Sequence, residues 1–88
     1  MINEEEKKII IRYAKKYNVS KVYLFGSSLD QSEYNDIDLA ISGIEPSLFF
    51  KFYGELLRNL YKPVDLIDLS EKSLFNQLIE NNSVKIYG

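Results

Sequence analysis

The 88-residue chain contains no cysteine and no histidine. The first absence excludes disulfides, thiolate nucleophiles and zinc–cysteine sites; the second removes the commonest metal ligand and the commonest general base. Any chemistry must therefore run on carboxylates and hydroxyls. Long hydrophobic runs are missing as well: Ile9-Ile10-Ile11 is representative, far short of the roughly 20 residues that a membrane span requires. Neither sign of charge dominates, with 11 Lys and Arg against 13 Asp and Glu and a net charge of −2. Such a balance gives no bulk attraction to a phosphate backbone, so stand-alone nucleic-acid binding is not expected. The acidic Glu4-Glu5-Glu6 opening is unlike the basic start of a signal peptide. These absences together point to a cytoplasmic protein with no membrane partner.

What remains is an ordinary globular composition, 45% hydrophobic and 27% charged, which excludes disorder and collagen-like structure. The length suits one domain over residues 1–88. Asn3 followed by Glu6 has capping-box spacing, and Ile9, Ile10, Tyr13, Ala14 and Tyr17 recur at helical intervals, predicting a first helix that ends near Asn18. Val19 to Gly26 is rich in strand formers and is stopped by glycine; Ser27 to Asn35 is a polar loop; Asp36 to Ser42 alternates with the period of a strand. Pro46 opens a second helix running through Leu60, Val64 to Leu69 is a third strand, and Ser70 is the expected N-cap of a third helix carrying Leu74, Phe75, Leu78 and Ile79. Val84 to Tyr87 forms a short terminal strand. This order predicts an α/β fold: a small mixed sheet with helices packed on one face and acidic residues on the other.

On the second strand, Asp36, Asp38 and Ala40 share one side while Ile37, Leu39 and Ile41 share the core side. Neighbouring carboxylates on one sheet face repel each other unless a cation offsets them. Magnesium suits the pattern, because it takes one or two protein carboxylates and completes its shell with water and substrate phosphates. An isolated Asp-x-Asp is most often no more than a solvated strand face. Here Gly26-Ser27 precedes it, and a glycine that lets backbone amides approach a ligand, followed by a serine hydroxyl, suits phosphate oxygens.

The segment FGSSLDQSEYNDIDLAI resembles the active-site signature of the DNA polymerase β-like nucleotidyltransferase superfamily, and VDLIDL is similar to its third motif. Length and element order most resemble the minimal nucleotidyltransferase (MNT) group, whose members commonly act as antitoxins paired with an HEPN-domain protein. The resemblance spans essentially the whole chain and implies a polymerase β-like palm. By the same resemblance, Gly26 and Ser27 contact nucleotide phosphates, Asp36 and Asp38 are paired metal ligands, and Asp65 is the third carboxylate of a two-magnesium site. Asp68 competes for that last role, although strand alternation sets it on the face opposite Asp65 and suits it to the start of the third helix. The spacer departs from the family pattern: Ser28, Leu29 and Asp30 stand where an arginine is usual, and the loop is shorter. With Asp30 and Glu33 added, it would hold a triphosphate less firmly.

The implied function is magnesium-dependent transfer of AMP from ATP to a hydroxyl of a partner protein, an HEPN toxin, by Asp36, Asp38 and Asp65. The alternative is a degenerate binding module that neutralises its partner by occlusion. A further expectation concerns the second helix, where Phe49, Phe50, Phe52 and Tyr53 run around the circumference. An apolar surface wider than one core-facing stripe offers a docking face for a protein.

Overall fold

The computed structural model describes residues 2–26 and 35–88. Helix α1 spans Glu4–Lys16 and begins as its local chemistry demands. The Asn3 side chain accepts from the Glu6 N–H at 2.8 Å, and the Glu6 carboxylate accepts from the Asn3 N–H at 3.0 Å, so two helix-start donors are satisfied reciprocally. The helix ends at Tyr17, after which Asn18 adopts a left-handed φ of 56°. The Val19 N–H returns to the Ala14 carbonyl at 2.9 Å and that of Asn18 to Lys15 at 3.2 Å, a Schellman closure that turns the chain into the sheet.

The sheet comprises β1 (Lys21–Phe25), β2 (Ile37–Ser42), β3 (Val64–Asp68) and β4 (Val84–Tyr87) in the order β3-β2-β1-β4. Strand β1 is antiparallel to both β2 and β4, whereas β2 and β3 run parallel. The parallel pair needs a crossover. A 3-10 turn at Pro46–Leu48 and helix α2 (Phe49–Asn59) supply it, so the helix expected to open at Pro46 starts three residues later.

One sheet face carries Val22, Leu24, Ile37, Leu39, Ile41, Val64 and Leu66, which pack with Ile10 and Ala14 of α1 and Phe52 and Leu56 of α2. Tyr17 meets Phe52 edge to face at 6.0 Å between ring centres. The Tyr53 hydroxyl donates to the Val64 carbonyl and ties α2 to the start of β3. The expected mixed sheet is present, with α1 and α2 on one face, but the helices are not confined to that face as expected. Helix α3 (Leu74–Asn81) lies on the other face, the one that also carries the aspartates, because its Ile79 finds apolar partners there in Tyr23 and Ala40.

The α3 cap also differs from the expected one. Ser73, not Ser70, is the N-cap and accepts from the Asn76 N–H at 3.0 Å. The Ser70 N–H is already engaged by the Asp68 carboxylate at 2.9 Å, which forms a local turn instead. No helix among the described residues is long and apolar enough to cross a membrane.

Candidate active site

Alternation along β2 puts Ile37, Leu39 and Ile41 into the main core, so Asp38 and Ala40 point the other way. The registers then align residues from three strands into rows. Phe25, Asp38 and Asp65 form one row across β1, β2 and β3; Tyr23, Ala40 and Ile67 form the next. Helix α3 sits over the second row through Ile79. Asp38 is half-buried and Asp65 exposed, so two carboxylates stand side by side on adjacent strands beyond the helix.

Gly26 follows Phe25 with a φ of 70°. A Cβ at this position would overlap the Asp38 carboxylate, so glycine is favoured by the backbone conformation, and any other residue must also displace the Asp38 side chain. Asp36 lies exposed immediately before β2. Asp68 ends β3 in register with Ile41, on the side away from Asp65, and its carboxylate serves the Ser70 turn. The structure thus brings together Gly26, Asp38 and Asp65, places Asp36 at the entrance to the same strand, and separates Asp68 from them. Ser27, Asp30 and Glu33 lie outside the described residues.

Among the described residues, no three His, Cys, Asp or Glu side chains are grouped closely enough to hold a metal ion. Two carboxylates on adjacent strands nevertheless fit magnesium, whose remaining ligands are water and substrate phosphate. A salt-bridge cluster lies on the opposite side of the sheet. There Glu55 of α2 accepts from Lys16 at 2.9 Å and Arg58 at 2.8 Å. The hydrogen bond from Lys16, then that from Arg58, holds the Glu55 carboxyl below its ordinary pKa. The hydrogen bond to Glu55 raises that of Lys16.

One feature escaped the sequence reading. Of the apolar residues on α3, only Ile79 is buried, while Leu74, Phe75 and Leu78 are largely exposed. Phe75, Leu78, Ile79 and Asn82 line a groove that runs to Phe25 and Gly26. The signal was the apolar arc itself: Leu74, Phe75, Leu78 and Ile79 share one side of α3, opposite Asn76, Gln77, Glu80 and Asn81, and the sheet covers only Ile79 of it.

A mixed sheet with a glycine closing β1 and aspartates in register on β2 and β3 defines the class: a nucleotidyltransferase palm. The same fold occurs in the toxin–antitoxin MntA–HepT, with 22% identity, a TM-score of 0.74 and coverage of 98% of this chain and 73% of that one. A toxin–antitoxin crystal structure with AMP-PNP has 24% identity, a TM-score of 0.73 and coverage of 93% and 73%. The tri-AMPylated Shewanella oneidensis HEPN toxin in complex with MNT antitoxin has 24% identity, a TM-score of 0.76 and coverage of 99% and 73%. No curated protein matches the chain in sequence. The family model for polymerase beta nucleotidyltransferases matches residues 7–88, and the chain belongs to that family.

Proposed function

We propose that the chain transfers AMP from ATP to a hydroxyl side chain of an HEPN-domain toxin in the cytoplasm, acting as its antitoxin. The observation that carries this reading is the in-register placement of Asp38 and Asp65 beside Gly26. The family match and the fold shared with a complex containing an AMPylated HEPN toxin support it. Gly26 and Ser27 offer backbone amides and a hydroxyl to the phosphates. Asp36 and Asp38, with Asp65 as the third carboxylate, would hold two magnesium ions, which supply neutralisation of phosphate charge and alignment of donor and acceptor. The acceptor oxygen attacks the α-phosphorus, the bond to the β-phosphate oxygen breaks, and pyrophosphate leaves. Asp65, the more exposed of the in-register pair, takes the acceptor proton.

One observation favours the second reading, a module that occludes its partner without chemistry: the spacer between Ser27 and Asp36 is short and carries Ser28, Leu29 and Asp30 where an arginine is usual. Co-expression with the HEPN partner, magnesium and ATP labelled at the α-phosphate separates the two. The transferase reading expects label on a partner hydroxyl, lost in Asp38→Asn. An unlabelled partner that wild type and Asp38→Asn inhibit equally would establish the occluding module instead.

A further inference from the structure

The groove between the end of β1 and α3 has a volume of about 210 Å³ and is lined by Phe25, Gly26, Phe75, Leu78, Ile79 and Asn82. Pockets that enclose a whole drug-sized ligand begin at about 300 Å³, so this space suits one ring system rather than an entire nucleotide. Ile79 is buried beneath it, whereas Phe75 and Leu78 remain 63% and 62% exposed. Contiguous apolar side chains left in water beside a groove mark a surface suited to a ligand.

The groove's position narrows the occupant. One end is Gly26, against which the Asp38 carboxylate packs, so a ligand seated here is continuous with the aspartate row. Its lining includes two aromatic rings, one from the sheet and one from α3. The polar member is Asn82, whose amide nitrogen donates to the Leu78 carbonyl at 2.8 Å. That bond leaves the carboxamide oxygen as the group with which Asn82 can accept from a ligand. A planar, aromatic ring carrying an amine fits this set better than an aliphatic side chain does.

We infer that the groove is the subsite for the base of the nucleotide, which stacks on Phe75 while Asn82 accepts from an exocyclic amine. The inference rests on the nucleotidyl-transfer reading and deepens it. It makes Phe75 and Asn82 determinants of which nucleotide is used: adenine presents the amine, and uracil does not. An aromatic surface contributes to base binding irrespective of sequence, so the larger share of the effect falls on Phe75.

The test is calorimetric titration of the full 88-residue chain, in magnesium, with ATP, UTP and inorganic tripolyphosphate. Wild type is expected to bind ATP about ten-fold more tightly than tripolyphosphate, the low end of what stacking supplies, and more tightly than UTP. Phe75→Ala, at an exposed position, should lose that ten-fold advantage and bind tripolyphosphate unchanged. Phe75→Tyr should keep the advantage, as should Phe50→Ala, an exposed ring on α2 across the sheet. Equal affinity of wild type for ATP and tripolyphosphate, or an ATP advantage that survives Phe75→Ala, would overturn the subsite and leave the phosphate and metal reading intact. Failure of both ATP and tripolyphosphate to bind would overturn the nucleotide reading and the subsite with it. If Phe75→Ala changes labelling of the partner protein but no nucleotide affinity, the groove receives the acceptor polypeptide and the base assignment fails.

Discussion

The carboxylate of Asp38 occupies the space in which a side chain on Gly26 would begin. Sequence neighbours of neither kind bring these residues together; the antiparallel pairing of Phe25 with Asp38 does. The contact links two roles assigned to separate motifs. In the proposed function a phosphate-facing glycine and a metal-facing aspartate thus share one wall, so movement of either changes the other.

Gly26→Ala should therefore destabilise the fold for two additive reasons. A left-handed φ costs an alanine about 1–2 kcal/mol, and the new methyl group must displace Asp38. Urea denaturation of Gly26→Ala, Asp38→Ala and the double variant separates these terms. The double variant should be more stable than the sum of the singles predicts, because the collision is gone while the backbone strain persists. Strict additivity would mean that Asp38 moves aside freely.

Asp65 and Asp68 should respond in opposite ways. Asp65→Asn removes a like charge in register with Asp38, so stability should hold or rise by at most about 1 kcal/mol, while transfer to the partner is lost. Asp68→Ala removes the acceptor of the Ser70 N–H, costing about 0.5–1.5 kcal/mol with transfer retained. Loss of transfer in Asp68→Ala at temperatures where it remains folded would exchange their roles.

The parts legible in the sequence are those whose signals are local. Asn3 and Glu6 are three residues apart and mark the start of α1 by a contact that needs no tertiary structure. Alternation assigned Asp38 and Asp65 to the non-core face for the same reason. Their register was not legible: β2 and β3 are joined through α2, and the packing of Phe52 and Leu56 against the sheet decides how far one strand slides along the other. Ser70 and Ser73 are equivalent as caps until Asp68 engages the first. Helix α3 was legible as a helix with one apolar side, Leu74, Phe75, Leu78 and Ile79, but not in how far the sheet covers that side: only Ile79 is buried, so the burial that periodicity implies for the other three is not realised. The expected apolar surface on α2 is present at Phe50 and Leu57, yet it lies across the sheet from the aspartate row, so a partner docked there would have to reach around an edge to present a hydroxyl.

Asn3→Ala should cost about 1 kcal/mol, the usual loss when an N-cap acceptor is removed. Because α1 contributes Ile10 and Ala14 to the main core, thermal denaturation should show the loss globally rather than as fraying of the first turn. An unchanged melting temperature would mean that Glu4–Glu6 alone satisfies the helix start.

The seam between α1 and α2 should give the fold an acid-sensitive component. Glu55 accepts from Lys16 on α1, from Arg58 on its own helix and, at 3.4 Å, from the Tyr17 hydroxyl. Its side chain is only 14% exposed, while Lys16 and Arg58 are 59% and 68% exposed, so solvent screens the cations more than the carboxylate. The Glu55 carboxyl titrates lower in the folded than in the unfolded chain, mainly because of the hydrogen bond from Lys16. Its stabilisation is therefore complete above the ordinary glutamate value and is lost as pH falls through the lower, folded value. Lys16 is raised by the same bond, so its share is complete below the ordinary lysine value and is lost only as pH rises through the folded one. Between these limits the seam contributes a constant amount. Glu55→Gln should melt below wild type at neutral pH, and the gap should close in acid, below the glutamate range, and shrink in high salt. The nucleotide-induced rise in melting temperature should be the same in both proteins, because Asp38 and Asp65 occupy the other sheet face. Melting curves across pH, with and without magnesium and ATP, check both statements. A gap that stays constant into strong acid would mean that Glu55 acts through packing rather than charge.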